Sequence, residues 1–139
     1  MKDNRVYLAF ILECIRDVHE FVDGDLHRLD EKRTLYAVER ALQVMAESTQ
    51  RLSPELRRAH PEVEWHAIAG LRNVLVHDYF GVDIERIREI VDEDLPVFQQ
   101  AVERILAALE VASQKCCNFS RVLFPRITVT RPSANTFSR

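Results

Sequence analysis

Glycine is scarce here: three in 139 residues. That leaves few hairpin turns and no Gly-rich loop of the kind that cradles phosphates. Cysteine is equally uninformative as a framework. Cys14, Cys116 and Cys117 are odd in number, two of them are adjacent, and no C-x-x-C pair occurs. Reduced thiols and a cytoplasmic setting are expected. No uncharged apolar run reaches the roughly 18 residues of a membrane span, and no signal peptide is read at the N-terminus. What is present is 47% hydrophobic residues among many charges, enough for one ordinary core. The composition favours an all-helical protein.

Acid is missing from one end. Residues 1–114 hold 14 Lys+Arg against all 22 Asp+Glu, a balance of −8. Residues 115–139 carry +5, from Lys115, Arg121, Arg126, Arg131 and Arg139. An acidic body argues against nucleic-acid binding by bulk charge and leaves room for a local basic cleft.

The apolar spacing sets out the elements. Asp3 or Asn4 is a suitable cap for a first helix, whose stripe is Tyr7, Phe10, Ile11, Cys14, Ile15, Val18, Phe21 and Val22. Asp23-Gly24-Asp25 stops it. A second helix is expected from Asp30, with Leu35, Val38, Leu42, Met45, Thr49 and Leu52 inward and Ser53-Pro54 as its end. Pro54–Ala59 reads as one short helical turn. Pro61 is expected at the first position of the next helix, with Glu62 and Glu64 at its positive end. Asp83 caps another helix carrying Ile84, Ile87, Ile90 and Val91. Asp94-Leu95-Pro96 is expected to break or kink the chain before a last helix that runs to about residue 114. The expected architecture is an antiparallel bundle of four main helices plus short ones, as a domain over 1–114. An irregular basic tail over 115–139 follows, with an extended piece at Ile127–Thr130 as one option.

Chemistry concentrates in Gly70-Leu71-Arg72-Asn73-Val74-Leu75-Val76-His77-Asp78-Tyr79-Phe80. Asn73 and His77 lie four apart and share a helix face, with Gly70 one turn earlier. Arg72 and His77 are about 140° apart on an ideal helix. They converge if the helix loosens, if Arg72 bends round, or if two copies of the site face each other. Metal-free RNA cleavage needs a base for the ribose 2′-hydroxyl, an acid for the leaving oxygen and a cation for the phosphorane. Histidine and arginine suit those tasks, and Asn73 suits orienting the ring or binding phosphate. On the residues alone, a hydrogen-bonded structural histidine near a helix end and a core-edge Tyr79 explain the stretch as well. A metal site from His60, His66 and His77 is disfavoured, because their spacings of six and eleven are not the i, i+4 of a helical chelate.

The stretch resembles the HepT-like branch of the HEPN superfamily, whose motif is Arg, a polar residue, three residues, His, any residue, Tyr. Arg72-Asn73-Val74-Leu75-Val76-His77-Asp78-Tyr79 carries it intact. Asp3–Leu8, Ile11–Ile15, Arg51–Leu56, His60-Pro61-Glu62, Trp65, Ala67–Gly70, His77–Asp83 and Asp94-Leu95-Pro96 extend the likeness over about residues 3–110. Ala46 departs from it, standing where relatives often carry glycine, and the stretch from about Lys115 has no recognised counterpart.

The resemblance implies a toxin of a toxin–antitoxin module: a metal-independent endoribonuclease that needs no cofactor. It implies a homodimer with Arg72 and His77 of both copies in one cleft, supported by Asn73 and Gly70. It also implies a minimal nucleotidyltransferase antitoxin of the MntA type as partner, placing AMP on Tyr79. The other function the resemblance allows is a non-catalytic helical subunit that holds substrate for a nucleotidyltransferase. Loss of RNA cleavage on replacing Arg72 and His77 separates the two.

Overall fold

The computed structural model describes residues 3–77 and 83–123, with side chains at 3–75 and 83–114. Among the described residues every regular element is helical, as the composition predicts. Helix α1 spans Asn4–Val22 and buries Leu8, Ile11, Cys14, Ile15, Val18 and Val22, one face at steps of three and four. Asp3 is its cap: the carboxylate accepts the Arg5 N–H at 3.0 Å, and the Arg5 guanidinium folds back onto it at 3.1 Å. Both hydrogen bonds hold the Asp3 carboxyl below its usual range. Asp23 ends α1 in the left-handed region (φ 52°), its N–H bonded to the His19 carbonyl at 2.8 Å.

The second helix starts after the expected Asp30. A 3-10 turn over Leu26–Asp30 drives Leu29 fully into the core, and α2 then runs Lys32–Thr49. Asp30, expected to open that helix, closes the 3-10 turn and takes the Arg88 guanidinium at 2.5 Å. The far end also differs. Ser48 and Thr49 turn their hydroxyls onto the Val44 and Ala46 carbonyls, at 2.8 and 2.7 Å, and α2 stops there. Ser53 belongs to the next helix instead: its Oγ accepts from Leu56 N–H at the start of α3, Pro54–Ala59. Ala46 is fully buried.

Helix α4 spans Trp65–His77, so Pro61 does not start it. Pro61–Glu64 form a tight turn in which the His60 carbonyl accepts both the Val63 N–H (3.3 Å) and the Trp65 indole Nε1–H (3.0 Å). With two donors gathered on one carbonyl, the chain reaches helical geometry only at Trp65. Asp83 caps α5, Ile84–Glu89, by accepting the Glu85 N–H at 3.0 Å.

Of the break or kink expected at Asp94-Leu95-Pro96, the chain shows no break. A π turn over Ile90–Asp94 carries α5 straight into α6, Leu95–Leu123, with Leu95 N–H bonded to the Ile90 carbonyl. The wider turn accommodates a proline that has no N–H to give. Asp94 is therefore not a cap; it pairs with Arg86 at 3.4 Å. Helix α6 also continues past the expected end near 114, to Leu123. The expected extended piece at Ile127–Thr130 lies outside the described residues.

Cross-links at both ends make the packing antiparallel. At one end Arg5 donates to Ser113 Oγ (3.2 Å), while His19 Nε2 and Gln99 Oε1 lie 3.3 Å apart at the other, joining α1 to α6 head to tail. Asn4 at the start of α1 clasps Ser53 beyond the end of α2: its Nδ2 donates to Ser53 Oγ (3.0 Å) and its Oδ1 accepts Ser53 N–H (2.9 Å). Residues from α1, α2, α3, α5 and α6 form one continuous core, with Leu8, Ile11, Ile15, Val38, Leu42, Ile87 and Val102 wholly enclosed. No helix is long and apolar enough to cross a membrane among the described residues.

Candidate functional site on helix α4

Helix α4 is apolar in composition but shallow in burial. Trp65, Ile68, Leu71 and Leu75 lean on the core and are each only partly buried. Its start is fixed by the indole bond to His60 and by an edge-to-face contact of Trp65 with Phe98, ring centroids 6.3 Å apart. His60 in turn pairs with Glu62 at 3.1 Å. A backbone N–H and that imidazole hold the Glu62 carboxyl below its ordinary range.

The motif divides between two sides of α4. Gly70 and Asn73 are exposed, and a Cβ added at Gly70 would meet nothing within 4 Å. Gly70 thus leaves open space rather than admitting a neighbour within this chain. Arg72 lies on the other side, half-buried, where the helix angle puts it beside Trp65 and Ile68. Its Nε is enclosed and has no hydrogen-bond partner among the described residues. An enclosed guanidinium donor without an acceptor is costly, and an anionic oxygen relieves that cost. His77 is the last residue of α4, so the backbone sets it five residues beyond Arg72; its side chain lies outside the described set, as do Asp78 and Tyr79.

Beside the motif is a feature the spacing alone does not show. A groove of about 610 Å³ lies between α4 and the π turn with the start of α6. Ile68, Leu71 and Phe98 line it, and Val74 and Val97, 50% and 68% exposed, stand at its lips. Met45 of α2 and two longer segments, 62–74 and 86–101, build it, so no local pattern announces it. Among the described residues no group of three or more His, Cys, Asp or Glu is arranged to hold a metal ion.

Comparison with known proteins identifies the family. The family model described as "Ribonuclease HepT-like" matches residues 11–105, which contain α4 entire. The chain is 38% identical over 104 residues to the protein named "Putative RNase MJ1380" of Methanocaldococcus jannaschii, covering 73% of this chain and 95% of that one. It is 33% identical over 106 residues to "Probable ribonuclease HepT" of Thermococcus cleftensis, covering 75% and 96%. No solved structure matches at a significant level. A helical bundle whose sequence carries an intact Arg-x4-His-x-Tyr segment, matched over most of its length to such relatives, belongs to the HepT-like ribonuclease family of the HEPN superfamily.

Proposed function

We propose that this chain is the endoribonuclease toxin of a toxin–antitoxin module, acting without a metal or cofactor through Arg72 and His77. The observation that carries the reading is the enclosed, unpartnered Nε of Arg72 on the helix that ends at His77. His77 is assigned the proton transfers: one imidazole takes the proton of the ribose 2′-hydroxyl as its oxygen attacks the adjacent phosphorus. An imidazolium returns a proton to the departing 5′-oxygen, leaving a 2′,3′-cyclic phosphate and a 5′-hydroxyl. Arg72 is assigned the charge on the phosphorane, with Asn73 positioning and Gly70 leaving space for the strand.

One histidine cannot hold both protonation states at once. Two copies of the chain, each lending Arg72 and His77 to one cleft, supply base and acid together. The 140° between the two residues on a single helix supports that arrangement. In this reading the chain works as a homodimer in the cytoplasm. A minimal nucleotidyltransferase antitoxin transfers AMP from ATP to the Tyr79 hydroxyl and releases pyrophosphate. The adduct sets a phosphodiester anion two residues from His77, where it competes with RNA for Arg72.

Two measurements test this. Cleavage of a fluorescent RNA by the purified protein is expected to survive chelator and to fall by about 10²–10⁴ in His77→Ala, the usual weight of a general acid or base. Arg72→Ala is expected to lose a comparable amount; cleavage untouched by both changes rules the assignment out. Co-expression with the partner nucleotidyltransferase is expected to add the mass of AMP to this chain. The same addition persisting in Tyr79→Phe refutes Tyr79 as the acceptor.

A further inference from the structure

The groove beside α4 is apolar within and acidic at its edge. Ile68, Leu71 and Phe98 line it, and the exposed Glu62, Glu64, Glu93 and Asp94 stand around them. The one cation among its lining residues, Arg86, is already engaged by Glu89 (2.8 Å) and Asp94 (3.4 Å). Such a trough repels an RNA backbone. It suits a segment that brings apolar side chains together with positive charge.

The groove also has an approach. The side of α6 that holds Val97 and Ala101 continues through Arg104, Ala108 and Val111, at steps of four and three on one face. Ala108 is exposed, and Val97 and Val111 are 68% and 54% exposed. Water therefore meets an apolar track that leads from the groove toward the far end of α6. The family match ends at residue 105, so most of this track and everything after it is particular to this chain.

The chain carries a segment with the matching chemistry. Residues 124–139 contain Arg126, Arg131 and Arg139 and no acid, with Ile127, Val129 and Phe137 as apolar side chains. Pro125 and Pro132 disfavour a continued helix. The reach agrees as well. From Leu123 back to Ala101 is about 33 Å of helix, and back to Asp94 about 44 Å. If about 3 residues reverse the direction, the remaining 127–139 span about 43 Å as extended chain. That count brings Phe137 level with Phe98, and Arg139 level with Glu93 and Asp94.

We propose that residues 127–139 fold back along α6 of their own chain and fill the groove, with Phe137 in its apolar part and the arginines against its acidic edge. Docked there, the segment covers the shallow side of α4. Asn73 lies about 160° round α4 from Leu71, so the side of α4 assigned to the shared cleft stays open to a second copy. Neither the groove nor its occupant depends on the catalytic assignment. The test runs in a His77→Ala background, where nuclease activity plays no part.

The full-length chain is given Val97→Cys and Ser138→Cys, with Cys116→Ser/Cys117→Ser to remove the two thiols between them. Mild oxidation is expected to join positions 97 and 138 within one chain. The product is a faster-migrating monomer on a non-reducing gel, and peptide mapping identifies the link. The link is expected to form about tenfold more slowly in Phe137→Asp, which removes the apolar anchor. Glu64→Lys/Glu93→Lys is expected to slow it too, and adding Arg131→Glu/Arg139→Glu to restore it, which a merely misfolded variant would not do. No link, or a link formed equally fast in Phe137→Asp, overturns the proposal. A covalent dimer joining position 97 of one copy to position 138 of another overturns it as well, since the groove then takes the segment of a second chain.

Discussion

Among single residues, environment separates groups of the same chemical type. Arg5, Arg86 and Arg88 all have carboxylate partners, and their ion pairs are surface bonds of small individual worth. Arg57 and Arg72 differ, each with its Nε enclosed and unmatched among the described residues; of the two, only Arg72 lies on the helix that ends at His77. Cys14 shows burial acting on a thiol. It is 4% exposed, and desolvation, reinforced by Asp17 and Glu13, pushes its pKa above the ordinary value. A raised thiol pKa means that the folded chain keeps a proton which the unfolded chain releases. Its linkage contribution is therefore absent below the unfolded value of 9.0, and stability falls as pH rises through it. Cys14 is expected to resist iodoacetamide at pH 8 in the native protein and to react on denaturation. Rapid native labelling at Cys14, read by mass spectrometry, contradicts its burial.

Among the helices, α4 stands apart from its neighbours. Helices α1 and α2 each carry a row of fully enclosed side chains, whereas α4 has none among its described residues and rests on half-buried contacts. Few buried contacts mean a low cost of local opening. Amides of residues 68–75 are expected to exchange with deuterium faster than those of 11–18 and 38–46, well before global unfolding. Equal protection across these segments refutes that ranking. The same element shows why the site is only half legible in the sequence. Periodicity puts Asn73 and Gly70 on an outward face and Leu71 and Leu75 inward, as observed. It also sets Arg72 beside Trp65 and Ile68, but it does not reveal that the Arg72 Nε is enclosed, because that depends on what packs beside the helix. Helix ends escape periodicity for a related reason. The His60 carbonyl holding Val63 and Trp65, the back-bonded Ser48 and Thr49, and the π turn before Pro96 are specific hydrogen bonds, not periodic patterns.

Across the bundle, one core ties the elements together. Leu42 on α2 is wholly enclosed within a cluster that includes residues of α1, α3, α5 and α6. Leu42→Ala is expected to cost about 2–5 kcal/mol, the range for a buried leucine that leaves a cavity. Trp65 fluorescence and far-UV circular dichroism are expected to report the same loss in urea unfolding, since a shared core unfolds as a unit. Two transitions shifted by different amounts contradict a single cooperative core. Charge also acts over the full chain: the −8 of residues 1–114 supplies the rim of the groove, and the +5 of residues 115–139 lies beyond the family match.

On α1 the spacing leaves the cap between Asp3 and Asn4 and puts Phe10 and Phe21, which are 42% and 36% exposed, on the inward stripe. Sequence alone does set the fold class, the inward stripe of α2, the cap at Asp83 and the motif from Arg72 to Tyr79. Each of these depends on neighbours a few positions apart, where helical geometry leaves little choice. Tertiary packing sets the rest: α5 and α6 are continuous, α4 lies shallow, the Arg72 Nε is enclosed, and an acid-rimmed groove opens beside the motif. Those outcomes depend on which distant segments meet. The groove walls come from residues 62–74 and 86–101, and Asn4 meets Ser53 across the length of a helical hairpin. Long-range contacts are set by the packing of all the apolar faces at once, which no single stretch of sequence contains.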